Sequence, residues 1–192
     1  DMKNSILQEF EEHKEVAENT ASKLSTLIEM LAKVCIDSIK DEKKIIFFGN
    51  GGSAADSQHL AAELVGRYKE ERRGLPAIAL TTDTSSITAI GNDYGYENVF
   101  SRQIEALARD GDVVIGISTS GTSKNILKGL KQAKDKKCIT VLFTGKKDHN
   151  YDYVDMNLSV PSTNTPRIQE MHITIGQIIC GLIEKSLISD ER

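Results

Sequence analysis

The stretch Lys44-Ile45-Ile46-Phe47-Phe48-Gly49-Asn50-Gly51-Gly52-Ser53-Ala54-Ala55-Asp56 decides the fold. Residues 44–48 read as a buried strand, an apolar run closed by glycine. A helical pattern over 54–68 follows at once and carries His59 and Glu63. A strand that ends in glycines and opens into a helix suits an anionic or polyhydroxylated small molecule. Glycine lets the backbone approach a ligand, and a helix N-terminus presents free N–H groups. His59 and Glu63 are four apart in sequence, so they share one helix face. An imidazole and a carboxylate capable of acid/base work are thus predicted beside the polar loop.

Outward from this unit, strands and helices alternate. The pattern predicts strands over 77–81, 113–118, 139–144 and 158–160, and helices over 85–90, 98–108, 123–136 and 168–186. Continuous apolar strands such as Val113-Val114-Ile115-Gly116-Ile117 belong in a parallel sheet covered on both faces. The expected fold class is α/β: a single domain with a central parallel sheet flanked by helices. Residues 1–40 form an N-terminal helical arm and 41–192 the α/β core. In the arm, Ile6, Phe10, Leu24, Leu27, Ile28, Leu31 and Val34 recur at helical spacing. Such an arm either packs against a partner subunit or covers its own sheet, and both readings stand. The charge run 69–73 reads as a solvated loop.

A chain of 192 residues suits one domain with a sizeable core. The net charge of −4 gives no reason to expect nucleic acid. The sequence reads as having no apolar run long enough to span a bilayer and no signal-peptide pattern at its start. Asp1 before Met2 resembles a tag remnant. Cys35, Cys138 and Cys180 are scattered and odd in number, which fits buried thiols in a reducing cytoplasm.

Ligands in parallel α/β sheets bind beyond the carboxyl ends of the strands. This groups the glycine loop with Ser118-Thr119-Ser120-Gly121-Thr122-Ser123, which joins an apolar strand to an amphipathic helix. Hydroxyls, a glycine and a helix N-terminus make a phosphate cradle. A capped turn would need only one such hydroxyl. Neither loop is a nucleotide P-loop or a dinucleotide fingerprint, because the glycine–lysine–hydroxyl signature is missing and residue 54 is alanine.

Several segments together carry a family resemblance. They are Gly49–Ser53, Gln58-His59-Leu60-Ala61-Ala62-Glu63-Leu64, Arg67-Tyr68, Gly91-Asn92-Asp93-Tyr94-Gly95, Ser118–Ser123 and Arg167-Ile168-Gln169-Glu170-Met171-His172. In this order and spacing they resemble the sugar isomerase (SIS) family, and within it the sedoheptulose 7-phosphate (phosphoheptose) isomerases. The resemblance spans essentially the whole chain. It implies interconversion of sedoheptulose 7-phosphate and D-glycero-D-manno-heptose 7-phosphate. That reaction opens the route to nucleotide-activated heptoses for lipopolysaccharide core, capsule or surface-layer glycans. It further implies a cytoplasmic homotetramer with sites at subunit interfaces, and one zinc ion per subunit.

Residue by residue, the resemblance implies Glu63 as the catalytic base over the enediol. His59, Glu63, Gln169 and Gln177 would hold zinc. Asn50, Gly51, Gly52 and Ser53 would meet sugar hydroxyls, with Asn92 and Asp93 beside them. Ser118, Thr119, Ser120 and Ser123 would hold the phosphate, and Gln169 would also touch substrate.

One position departs from the pattern. The isomerases carry histidine, their second catalytic group and fourth metal ligand, where this chain has Gln177. Gln169 and Gln177 lie about 80° apart on a helix, so position 177 suits the site. Glutamine can coordinate through its carbonyl oxygen but exchanges no proton near neutral pH. Zinc binding weaker than in histidine-bearing relatives is therefore expected. His172, about 140° from Gln177, reads as structural. The alternatives are a non-catalytic SIS binding module of the replication-initiator-associating type and an isomerase of another sugar phosphate.

Overall fold

A computed structural model describes residues 1–190; the expected core's last two residues, 191 and 192, lie outside them. Strand β1 (Ile45–Gly49) is followed by helix α2 (Gly52–Val65) and then β2 (Ala77–Ala79). Helices α3 (Thr84–Tyr94) and α4 (Val99–Leu107) lead to β3 (Val113–Ile117), α5 (Lys124–Asp135), β4 (Ile139–Thr144) and β5 (Met156–Ser159). Helix α1 (Met2–Lys40) precedes this core and α6 (Thr165–Asp190) closes it. All pairings are parallel and the strand order is β2-β1-β3-β4-β5.

The apolar strands sort their side chains to two faces, as strand alternation requires. Ile45, Phe47, Val113, Ile115, Val141 and Phe143 pack with α1, α2 and α6. Ile46, Phe48, Val114 and Leu142 pack with α4 and α5. β1 and β3 are neighbours, yet α2 leaves β1 toward one face and α5 leaves β3 toward the other. The loops diverge and open a crevice at the carboxyl edge, where ligands bind in such sheets.

The reading in which the arm covers its own sheet holds for the greater part of α1. From Val16 to Ile39 it buries a stripe against its own core, with Leu24, Ile28, Leu31 and Cys35 inside. Its first turns leave Met2, Ile6, Leu7 and Phe10 exposed. Asp1 caps the helix by accepting from the Asn4 N–H.

Helix α6 corrects the membrane reading, being long and apolar enough to cross a bilayer by length and composition. Its Ile168, Met171, Ile175, Ile179 and Ile183 are buried in the core, which accounts for that hydropathy. Gly176 lets it approach α2 closely: any Cβ there would overlap the side chain of Leu60. The three cysteines are free and buried.

The charge run 69–73 is not simply a solvated loop. Arg72 and Glu184 form an ion pair with both side chains only 2% exposed. Helix α3 runs beyond the expected 85–90 to Tyr94, capped at its start by Asp83, which accepts from the Ser86 N–H.

Candidate active site

α2 opens at Gly52, two residues earlier than its periodicity suggests, so Gly52 and Ser53 form its first turn rather than a loop. Gly52, Asp56, His59 and Glu63 recur at spacings that keep them on one side of the helix. Glu63 and Gln177 meet across the α2–α6 contact. The Gln177 Nε2 lies 3.5 Å from Oε2 of Glu63, and His59 Nε2 lies 3.8 Å from the same oxygen. Glu63 is largely buried, at 18% side-chain exposure, while His59 is half exposed. Gln169 sits at the other end of α2, its Nε2 packed over Gly52.

The donor set is thus one imidazole, one carboxylate and two neutral amides. Ligand atoms about 3.3 Å apart suit a shared tetrahedral zinc with bonds near 2.0–2.1 Å. The His59–Glu63 spacing of 3.8 Å is close to that. Among the described residues, no cluster of three His, Cys, Asp or Glu side chains forms a metal site. The amides must therefore complete any such site, and amide oxygens are weak zinc ligands.

The hydroxyl loop forms a connected network. Ser118 Oγ lies 3.2 Å from Ser123 Oγ and 3.4 Å from Ser120 Oγ. Its oxygen also accepts from the Gly121 N–H, and Ser120 Oγ accepts from the Thr122 N–H. Ser123 stands at the start of α5 but makes no side-chain cap bond. Its hydroxyl turns toward Ser118 instead, which disfavours a mere capped turn. Gly121 supplies the left-handed bend at φ +69°, and His149 Nε2 and Tyr151 Oη secure the turn through the Ser120 and Gly121 carbonyls. A cleft of about 180 Å³ adjoins Thr119 and Ser120, with Lys146, Lys147 and Thr163 on its walls. The loop's own residues carry no cation, and these lysines supply one nearby.

Asn50 and Asn125 exchange reciprocal amide hydrogen bonds, each 2.9 Å, tying the glycine loop to the first turn of α5. Tyr96 Oη also donates to Asn50 Oδ1 at 3.0 Å. Neither Asn125 nor Tyr96 was expected here. Asn125, two residues after Ser123, was the more foreseeable. Asn92 and Asp93 occupy the last turn of α3, exposed and bonded to each other. No bond joins them to the glycine loop among the described residues.

Asp56 was quoted in the sequence but given no role. Burial lifts its carboxyl to about 6, against a smaller opposing pull from His59, and its buried Oδ2 has no hydrogen-bond partner among the described residues. His172 is structural, as expected. It is fully buried against Phe143 and its Nε2–H donates to the Thr144 carbonyl at 2.9 Å. Burial lowers its pKa to about 4, so it is neutral.

The SIS domain family matches residues 10–145, well over half the chain. A phosphoheptose isomerase of Geotalea daltonii is 54% identical over 192 residues, covering 100% of both chains. The chain belongs to the SIS family, in its phosphoheptose isomerase branch. Solved phosphoheptose isomerases agree in fold. That of Neisseria gonorrhoeae has a TM-score of 0.89 at 38% identity, over 96% of this chain and 100% of its own. That of Francisella tularensis has a TM-score of 0.91 at 33% identity, over 96% and 99%. The SIS match ends before α6, so Gln169 and Gln177 lie outside it, whereas the full-length relative spans them.

Proposed function

We propose that this chain is a phosphoheptose isomerase, interconverting D-sedoheptulose 7-phosphate and D-glycero-D-manno-heptose 7-phosphate. The carrying observation is the Glu63 carboxylate. It sits largely buried between α2 and α6, with His59 and Gln177 both on Oε2.

Aldose–ketose isomerisation moves one proton between adjacent carbons and another between their oxygens. Glu63 takes the proton from C1 of the ketose, leaving an enediolate, and returns it to C2. The O1 proton passes to O2, and C1 becomes the aldehyde. Gln177 can hold these oxygens through its amide but supplies no proton near neutral pH. Asn50, Gly51, Gly52 and Ser53 bind the sugar hydroxyls in this reading, with Asn92 and Asp93 at the rim. Ser118, Thr119, Ser120 and Ser123 bind the phosphate. Their hydroxyl hydrogens can rotate from one another toward phosphate oxygens.

Zinc, if bound by His59, Glu63, Gln169 and Gln177, would polarise the substrate carbonyl. The assembly is read as a homotetramer with sites at subunit interfaces, in keeping with the exposed Met2, Ile6, Leu7 and Phe10. The compartment is read as cytoplasm, in keeping with three free thiols. The product then feeds nucleotide-activated heptoses for lipopolysaccharide, capsule or related glycans. One residue, Gln177, favours a second reading as a non-catalytic binding module.

The test is turnover of sedoheptulose 7-phosphate by this chain and by Gln177→His, with zinc supplied. Activity in both, or in the variant alone, upholds the isomerase site. If both are inert, the reading is wrong, and a selective rise in Tm with a pentose or amino-sugar phosphate then assigns another substrate.

A further inference from the structure

We infer that Arg72 and Glu184 are positioning residues for Glu63, joined as a staple that fixes the catalytic end of α2 against α6. The inference rests on the isomerase reading and adds two residues to its machinery.

Glu63 lies two residues before the end of α2 at Val65. The final carbonyls of a helix lack intrahelical partners, and such ends fray. α2 carries no basic residue in its last turn. Gly66, at φ −85° and ψ −98°, does not form the left-handed glycine cap. The Leu64 carbonyl accepts from the Leu75 N–H at 3.0 Å, but the Glu63 carbonyl, on the base itself, needs another cap.

Arg72 supplies it from outside the helix. Nη2 donates to the Glu63 carbonyl at 2.6 Å, and Nη1 to those of Leu64 at 2.9 Å and Gly66 at 2.7 Å. Nε faces Oε1 of Glu184 at 3.0 Å. The Glu184 carboxylate also accepts backbone N–H bonds from Tyr68, Lys69 and Glu70, at 3.0, 2.9 and 3.0 Å. One ion pair therefore binds the end of α2 and the turn that follows it. Glu184 lies seven residues beyond Gln177, about two helical turns, so both project from one side of α6. A cleft of about 230 Å³ touches Tyr68, Gln177 and Glu184 together.

Stability alone does not call for this arrangement. A buried ion pair recovers its desolvation cost only through excellent geometry, and apolar replacements often stabilise as well. What apolar side chains cannot do is cap three carbonyls with a planar fork. Lysine cannot do so either.

The test compares Arg72→Lys and Glu184→Gln with the native full-length chain, zinc supplied. Ile104→Val, in the core on the opposite sheet face, serves as a control of lowered Tm. The expected result is a kcat lowered by about 10- to 100-fold, the scale of a misplaced group. KM and inhibition by inorganic phosphate stay within about twofold, because the phosphate loop is untouched. Amide exchange over 63–70 accelerates in both variants, and Ile104→Val retains its kcat. A kcat within about twofold of native in both variants, despite faster exchange, overturns the positioning role. If neither the native chain nor Gln177→His turns over, the isomerase reading fails instead. The exchange data then decide the staple, and unchanged protection over 63–70 overturns it.

Discussion

Oε2 of Glu63 and Nε2 of Gln177 stand 3.5 Å apart, so the proposed base faces an amide donor rather than an ionisable ring. The acid/base burden on carbon then rests on Glu63. Glu63→Gln is expected to lower kcat by about 10²- to 10⁴-fold, the usual contribution of a general base. Steady-state kinetics with sedoheptulose 7-phosphate checks this, and a loss confined to KM would remove Glu63 from the base role.

The same amide bears on metal affinity. Zinc is expected to dissociate from the native chain under dialysis against a mild chelator and to remain in Gln177→His, whose imidazole is the better ligand. Elemental analysis of both proteins is the measurement. Stoichiometric zinc in the native chain after dialysis would contradict the expectation.

Asp56 links the site to stability. Its folded pKa of about 6 stands above the ordinary 3.8, because burial opposes the charged form. Its favourable contribution is complete below 3.8 and is lost as pH rises through about 6. Asp56→Asn removes that loss. In the zinc-free protein it should stabilise by about 1–2 kcal/mol at pH 8, after allowance for partial solvent access, with no gain at pH 3.5. Denaturant midpoints at the two pH values test the sign.

Gly176→Ala places a methyl into Leu60 across the α2–α6 contact. Overpacking of this kind costs about 1–3 kcal/mol. The helices must part, and Glu63 with Gln177 parts with them. A lower Tm and a lower kcat are expected together. Unchanged kcat in a destabilised protein would show that the helix spacing is not critical.

Lys146 lines, with Ser120, the cleft that adjoins the hydroxyl loop. Lys146→Ala is expected to raise KM by about 3- to 10-fold at low salt, with kcat little changed, and the difference should shrink as salt screens the charge. A KM independent of both the lysine and salt would place the phosphate elsewhere.

Much of the architecture was legible because local patterns and tertiary structure agree. The apolar run 113–117 could hardly be anything but a covered parallel strand, and the hydroxyls of 118–123 announced a polar loop. The Glu63–His59 pair followed from helical spacing alone. Arg72 did not, because a charged run looks the same whether solvated or buried. Its partner Glu184 is 112 positions away, and only the fold joins them. Asn92 and Asp93 illustrate a different limit. The expected helix over 85–90 stops short of them, yet the Asp83 cap and the helix it starts carry through to Tyr94. The split behaviour of α1 was likewise undecidable from periodicity, which records an apolar stripe but not what covers it.

The reciprocal amide pair of Asn50 and Asn125 has a consequence for selectivity. It ties the loop that would grip the sugar to the helix that follows the phosphate loop, giving the site a set length before ligand arrives. On the isomerase reading, a ketose phosphate must reach from the Ser118–Ser123 hydroxyls to Glu63. A site held at that length would let a sugar one carbon shorter engage one end but not both at once. Discrimination by chain length then needs no group that senses the missing carbon: the protein acts as a ruler.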